Sequence, residues 1–169
     1  MKRFDEVMKS VRTTVNNGTV GAIAGATGAL ALDMATSLDM ALRGRAPSDV
    51  PAMVVEKVAT RKNELLAPLL GDAPERRHRR SGVGALAGYG VGIALGAIYG
   101  MRPTRKSGSN WLLNGTMLGL AALIASDVPA VRLGATDVRK WSVSDWTSDI
   151  LPHAVYGLAT AAVFARLAR

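Results

Sequence analysis

Charge is missing from four long stretches of this chain, and that absence limits its fold more than any other feature. Residues 13–32, 81–101, 107–126 and 150–165 contain no Asp, Glu, Lys or Arg and run for 20, 21, 20 and 16 residues. A helix needs about 20 apolar residues to cross the hydrocarbon core of a bilayer. Three stretches reach that length, and the fourth does so once Trp146 and Thr147 extend it to the interface. The pattern predicts an all-α fold: a glycine-rich four-helix transmembrane bundle forming one integral membrane domain over residues 1–169. The spans are expected at about 18–38, 82–101, 110–126 and 147–166, with a polar connection over about 39–80.

The competing readings are a soluble Ala/Gly-rich bundle and a protein with two spans. Alanine and glycine supply 45 of the 169 residues, whereas Phe, Trp and Tyr together supply eight. A core of this size in water draws on bulky side chains, each of which gains free energy by leaving solvent. Trp111, Trp141 and Trp146 all fall at predicted span ends, where an indole sits at headgroup level. Both observations favour the bilayer.

The amino-terminal segment carries Lys2, Lys9 and Arg12 around a face of Phe4, Val7, Met8 and Val11. Acids interrupt its basic start, and the apolar run that follows is weak in bulk, so it does not read as a cleaved signal peptide. It is expected to be a short surface-lying helix leading into the first span. The polar connection holds 9 of the 21 cations. Within it, Ser48-Asp49-Val50-Pro51 reads as a helix start. Val54, Val55, Val58, Ala59, Leu65, Leu66 and Leu69 then share one broad face, with Lys62 intruding on it, and Pro68 is expected to end or kink this amphipathic helix. Arg76, Arg77, Arg79 and Arg80 abut the second span. Such cations read as an anchor for anionic lipid headgroups. No aromatic is interleaved to stack on bases, which argues against nucleic acid.

In the second span Gly84, Gly88, Gly92, Gly96 and Gly100 recur every four residues. Interior glycine weakens a helix in water by about 1 kcal/mol each. In a bilayer, unmade backbone hydrogen bonds cost more than that, and the helix persists. A glycine ridge lets another backbone approach closely. Shorter versions appear at Gly21/Gly25, Gly115/Gly119 and Gly157/Ala161/Ala165. The ridge serves either tight packing within one bundle or an oligomer seam.

Polar groups at membrane depth need partners and often mark function. Asp33 lies near the end of the first span. Asp145, Asp149, His153 and Gly157 follow at four-residue steps, on one face of the last helix. Asp33, Asp149 and His153 form a candidate intramembrane polar site, for a proton or a solute; the plainer reading makes them ties between helices. Asn17-Gly18-Thr19-Val20 resembles Asn114-Gly115-Thr116-Met117, a faint internal duplication.

Catalysis finds little support. There is no cysteine, and the two histidines stand 75 positions apart. No Gly-x-Ser-x-Gly, Walker or His-Glu-x-x-His pattern occurs, and no strand precedes the glycines to make a dinucleotide fingerprint. No catalytic residue, metal ligand or cofactor is expected.

Three motifs carry a family likeness. They are Leu38-Asp39-Met40-Ala41-Leu42-Arg43-Gly44-Arg45, the Tyr99-Gly100 close of the ridge, and Asp149-x-x-Pro152-His153-x-x-Tyr156-Gly157. Together they resemble the YagU-like inner-membrane proteins of bacteria, a likeness extending over most of the chain. The resemblance implies a four-span protein of the bacterial inner membrane. That group has no assigned chemistry, so no functional residue carries over from it.

The leading expectation is a non-enzymatic membrane component that packs with itself or within a larger membrane complex. A small transporter or channel is the alternative, and an enzyme acting on lipid headgroups ranks third. With four spans both termini share one side. Cations near span ends number nine on each side, so the positive-inside rule does not choose between the two orientations.

Overall fold

The computed structural model describes residues 2–62, 73–102 and 110–168. They form five helices: α1 (Lys2–Arg43), α2 (Val50–Lys62), α3 (Ala73–Met101), α4 (Trp111–Arg132) and α5 (Val143–Leu167), with a 3-10 turn over Val138–Lys140. No strand occurs among the described residues. Four helices, all except α2, are long and apolar enough to cross a membrane.

Each of these helices outlasts its charge-free stretch. Backbone hydrogen bonding continues into the polar flank, while charge marks only the depth that hydrocarbon tolerates. α1 is the extreme case, a single helix of 42 residues and about 63 Å at the helical rise. The amino-terminal segment is therefore not a separate short helix, as expected, but the first part of α1. Residues 3–16 join the first span in one unbroken helix, with every side chain exposed.

The termini of the elements follow local chemistry. α1 stops at Gly44, whose φ of 62° lets its N–H turn back 2.9 Å onto Met40 O. Asn110 Oδ1 caps α4 by accepting from the N–H groups of Leu112 and Leu113. α5 opens on a capping box, in which Ser142 Oγ accepts from Asp145 N and Asp145 Oδ2 accepts from Ser142 N. α2 begins at Val50 with Pro51 in its first turn, where the sequence places it. Leu65, Leu66, Pro68 and Leu69 lie outside the described residues. In the 3-10 turn Asp137 accepts from Arg139 Nε at 2.9 Å, and that guanidinium holds the carboxyl below the usual aspartate range.

The third helix outruns the end expected near residue 126: α4 continues through Asp127-Val128-Pro129 to Arg132, with Pro129 inside it. The helix ends instead at Gly134, where φ is 69°. There Gly134 N donates to Val131 O and Ala135 N to Ala130 O, the paired bonds of a Schellman ending.

The spans pack antiparallel in the spatial order α3, α1, α5, α4. Gly25 of α1 meets Gly92 and Gly96 of α3, and Gly28 meets Tyr156 and Thr160 of α5. Gly119 of α4 meets His153 and Ala154 of α5. α1 and α5 hold the middle, and α3 and α4 flank them with few contacts of their own. α2 lies against both flanking helices at one end, with Ala59 buried and Pro51 against Gly84. At the other end Ala24, Tyr99, Leu118, Ala161 and Phe164 make a small apolar core, in which the Tyr99 and Phe164 rings meet edge-on at 5.0 Å.

Candidate functional site

The glycine seams come first, because they set the distances between every other side chain. Gly96 is so close to α1 that a Cβ there would sit 2.6 Å from Gly25 Cα and 2.8 Å from Gly25 N. Gly100 abuts Asn17 O, and Gly21 abuts Gly96 O. The α4–α5 seam repeats the arrangement, with Gly157 pressed on the backbones of Gly115 and Gly119. Such contact is van der Waals attraction between main chains, the main source of helix association in lipid.

The five-glycine row is not one surface. Gly92, Gly96 and Gly100 face α1, though a Cβ on Gly92 would first meet the side chains of Ala29 and Tyr156, at 3.2 Å, with Gly25 O farther off at 3.7 Å. Gly84 faces Pro51 of α2, and around Gly88 there is open space. Gly82 and Gly90 are equally open.

Between the seams lies one polar tie that sequence reasoning missed. Tyr156, 1% exposed, donates its hydroxyl to Gly92 O at 2.7 Å. Thr160, fully buried, donates to Tyr156 O at 2.8 Å and fills the space over Gly28. The sequence signal that could have found it is the pairing of each tyrosine with a following glycine, at 89–90, 99–100 and 156–157.

The three members of the expected polar site fall into two places. Asp33 accepts the Tyr89 hydroxyl across the outer edge of the α1–α3 seam. Asp149 and His153 stand together on α5, where His153 Nδ1 lies 2.8 Å from Asp149 O and 3.5 Å from Asp149 Oδ1. His153 Nε2 reaches Ser126 Oγ of α4 at 3.3 Å. Asp127, just past the expected end of the third span, faces Asp149 from α4. Asp149 Oδ2 is buried without a hydrogen-bond partner. Among the described residues no hydrogen bond or ion pair joins Asp33 to Asp149 or His153, and no cluster of three acidic or imidazole groups is arranged to hold a metal.

A second network, also unforeseen, fastens α1 to α5. Asp39 accepts from Arg45 Nε at 2.5 Å and from Ser148 Oγ at 2.9 Å, and lies 3.3 Å from Arg43 Nε. Arg43 Nη2 also donates to Ser144 Oγ and Ser148 Oγ. Both arginines come from the motif that carries the family resemblance.

The basic run before α3 is partly engaged within the chain. Arg80 pairs with Glu56 of α2, and Arg79 pairs with Glu75 one turn back at 2.7 Å. Arg76 also has a partner in the fold, so the run is not a free set of four cations. At the opposite end Arg102 stacks over the Tyr99 ring, 4.1 Å from its centroid.

The best-formed depressions on the described surface are shallow and apolar. One is lined by Ala162, Val163, Arg166 and Leu167, the other by Val143, Trp146, Thr147, Ile150, Leu151 and Ala154. Neither touches Asp33, Asp149 or His153.

Comparison with known proteins adds no relative: no family model, curated protein or solved structure matches the chain.

Proposed function

We propose that the chain is a small multi-pass protein of the bacterial inner membrane, of the YagU-like kind, whose role is structural: it packs with itself or within a larger membrane complex. The observation that carries this reading is the uneven burial of its spans. Within their most apolar windows α1 and α5 are each 33% buried, whereas α3 and α4 are 17% and 22% buried. Each glycine seam fastens one face of an outer helix to a middle one, α3 to α1 and α4 to α5, and leaves broad faces on the outer pair. Anionic headgroups are the expected lipid partners, and no cofactor or catalytic step is assigned. The test is native mass spectrometry of the protein released from lipid nanodiscs. A stoichiometry above one, or a co-isolating membrane complex, supports the proposal, and a strictly monomeric species overturns it.

A second reading, a small transporter, is favoured by one feature: the buried, unpartnered Asp149 Oδ2 beside His153, Ser126 and Asp127. It requires flux of protons or a small solute in proteoliposomes that His153→Ala abolishes. A leak unaffected by that substitution removes it.

A further inference from the structure

We propose that the amino-terminal overhang of α1, residues 3–16, docks on an anionic bilayer surface. The proposal rests on the reading that the other helices span a membrane. Tertiary packing on α1 begins only at Asn17, where Gly100 abuts its carbonyl, and at Gly18, which meets Met101. Every side chain from Arg3 to Asn16 is exposed.

The exposed surface is amphipathic. Phe4, Met8, Val11 and Val15 are spaced four, three and four residues apart and are 67%, 51%, 51% and 59% exposed. With Val7 they fill an arc of about 100° at the helical period. Arg3 and Arg12 border that arc on opposite sides, and Lys9 lies behind it. This is the layout of a helix lying at a lipid surface, with apolar side chains sunk below the headgroups and flanking cations reaching phosphate. The segment's cations, Arg3, Lys9 and Arg12, outnumber Asp5 and Glu6, and both acids lie on the polar side. Charge therefore favours an anionic leaflet over a zwitterionic one.

A straight α1 would carry the stripe out into water, its Phe4 end about 20 Å beyond the first packed residue. The place where it can bend is built in. Thr13-Thr14-Val15-Asn16-Asn17-Gly18 is an unbroken run of poor helix formers, and it ends at the first packed residue. Thr13 and Thr14 return their hydroxyls to Lys9 O and Ser10 O at 3.0 Å each, a back-bond that bends helices.

The chain has no cysteine, so single labels can be placed in the full-length protein. An environment-sensitive fluorophore at Val11→Cys, Lys9→Cys or Leu120→Cys would be read in nanodiscs of phosphatidylcholine alone or with phosphatidylglycerol, with nitroxide lipid as quencher. The expected result is quenching at position 11 in the anionic discs only, with position 9 remaining aqueous. Each cation near an anionic leaflet is worth about fivefold, so Arg3→Gln with Arg12→Gln should weaken docking about 30-fold. A position 11 label that stays aqueous in anionic discs overturns the proposal. So does a label shielded equally in both lipids, and close label-to-label energy transfer there would assign the stripe to a second copy. Position 120, on the outer face of α4, reports whether the spans are seated. Failure at 11 alone refutes docking, whereas failure at 120 refutes the membrane reading beneath it.

Discussion

Gly88 and Gly96 belong to one row of the sequence and to different worlds in the fold. A methyl group on Gly96 would collide with the Gly25 backbone, while around Gly88 there is nothing within 4 Å. Gly96→Ala should therefore destabilise by about 1–3 kcal/mol, the range for forced overpacking. Gly88→Ala should be neutral or slightly stabilising, since alanine is the better helix former. Thermal melts of both variants in one detergent check this, and equal shifts would refute the close α1–α3 approach. Tyr156→Phe removes a buried hydrogen bond to Gly92 O and should cost about 0.5–1.5 kcal/mol in the same assay. The sequence showed the row but not its division, for a geometric reason. Four residues turn a helix through about 400°, so the row drifts about 40° per step and five members sweep about 160°. No single neighbour can face them all. Asp33, Asp149 and His153 were legible as polar groups at or inside the ends of the charge-free stretches, yet their grouping was not. Tyr89 and Asp127 supply their neighbours from other helices, and one sequence carries no distance between helices.

Helix existence was easier to read than helix length. Charge-free stretches find the spans because hydrocarbon excludes charge, but the amide ladder does not stop where water begins. At the end of α4 two signals competed. Pro129 removes one donor, which the helix absorbs while continuing to Arg132; Gly134 turns into the left-handed region and the ladder ends. Gly134→Ala should thus cost about 1–2 kcal/mol, the penalty for a Cβ in that conformation, and should raise amide exchange over residues 130–135. Pro129→Ala should leave the helix end where it is. If the proline variant lengthens or shifts α4 while the glycine variant does nothing, the Schellman assignment is wrong. The clasp of Asp39, Arg43, Arg45 and Ser148 was missed because its members are more than a hundred residues apart in part. Its only trace in the sequence was a motif noted for family likeness.

For the whole molecule, the spatial order α3, α1, α5, α4 leaves two helices half-clothed. The bare side of α3 carries Val83, Leu86, Gly90, Ala94 and Ile98, all exposed, with Gly90 open to close approach. Lipid can cover such a face, and so can a second copy. The two differ in what they bring within reach of position 94. A cysteine at Ala94 on a self-associating face would find its symmetry mate, because a two-fold interface places the same patch on both partners. Ala24 is 0% exposed between α1 and its neighbours, so a cysteine there has no route to another chain. In native membranes Ala94→Cys should form an oxidative dimer at low expression, and Ala24→Cys should form none. Adding excess cysteine-free chain should dilute the crosslink in proportion, as random collision alone would not at constant labelled density. Dimer yields that match between the two sites, or that fail to respond to dilution, would mean that α3 faces lipid and that the assembly role must rest on α4 or be given up.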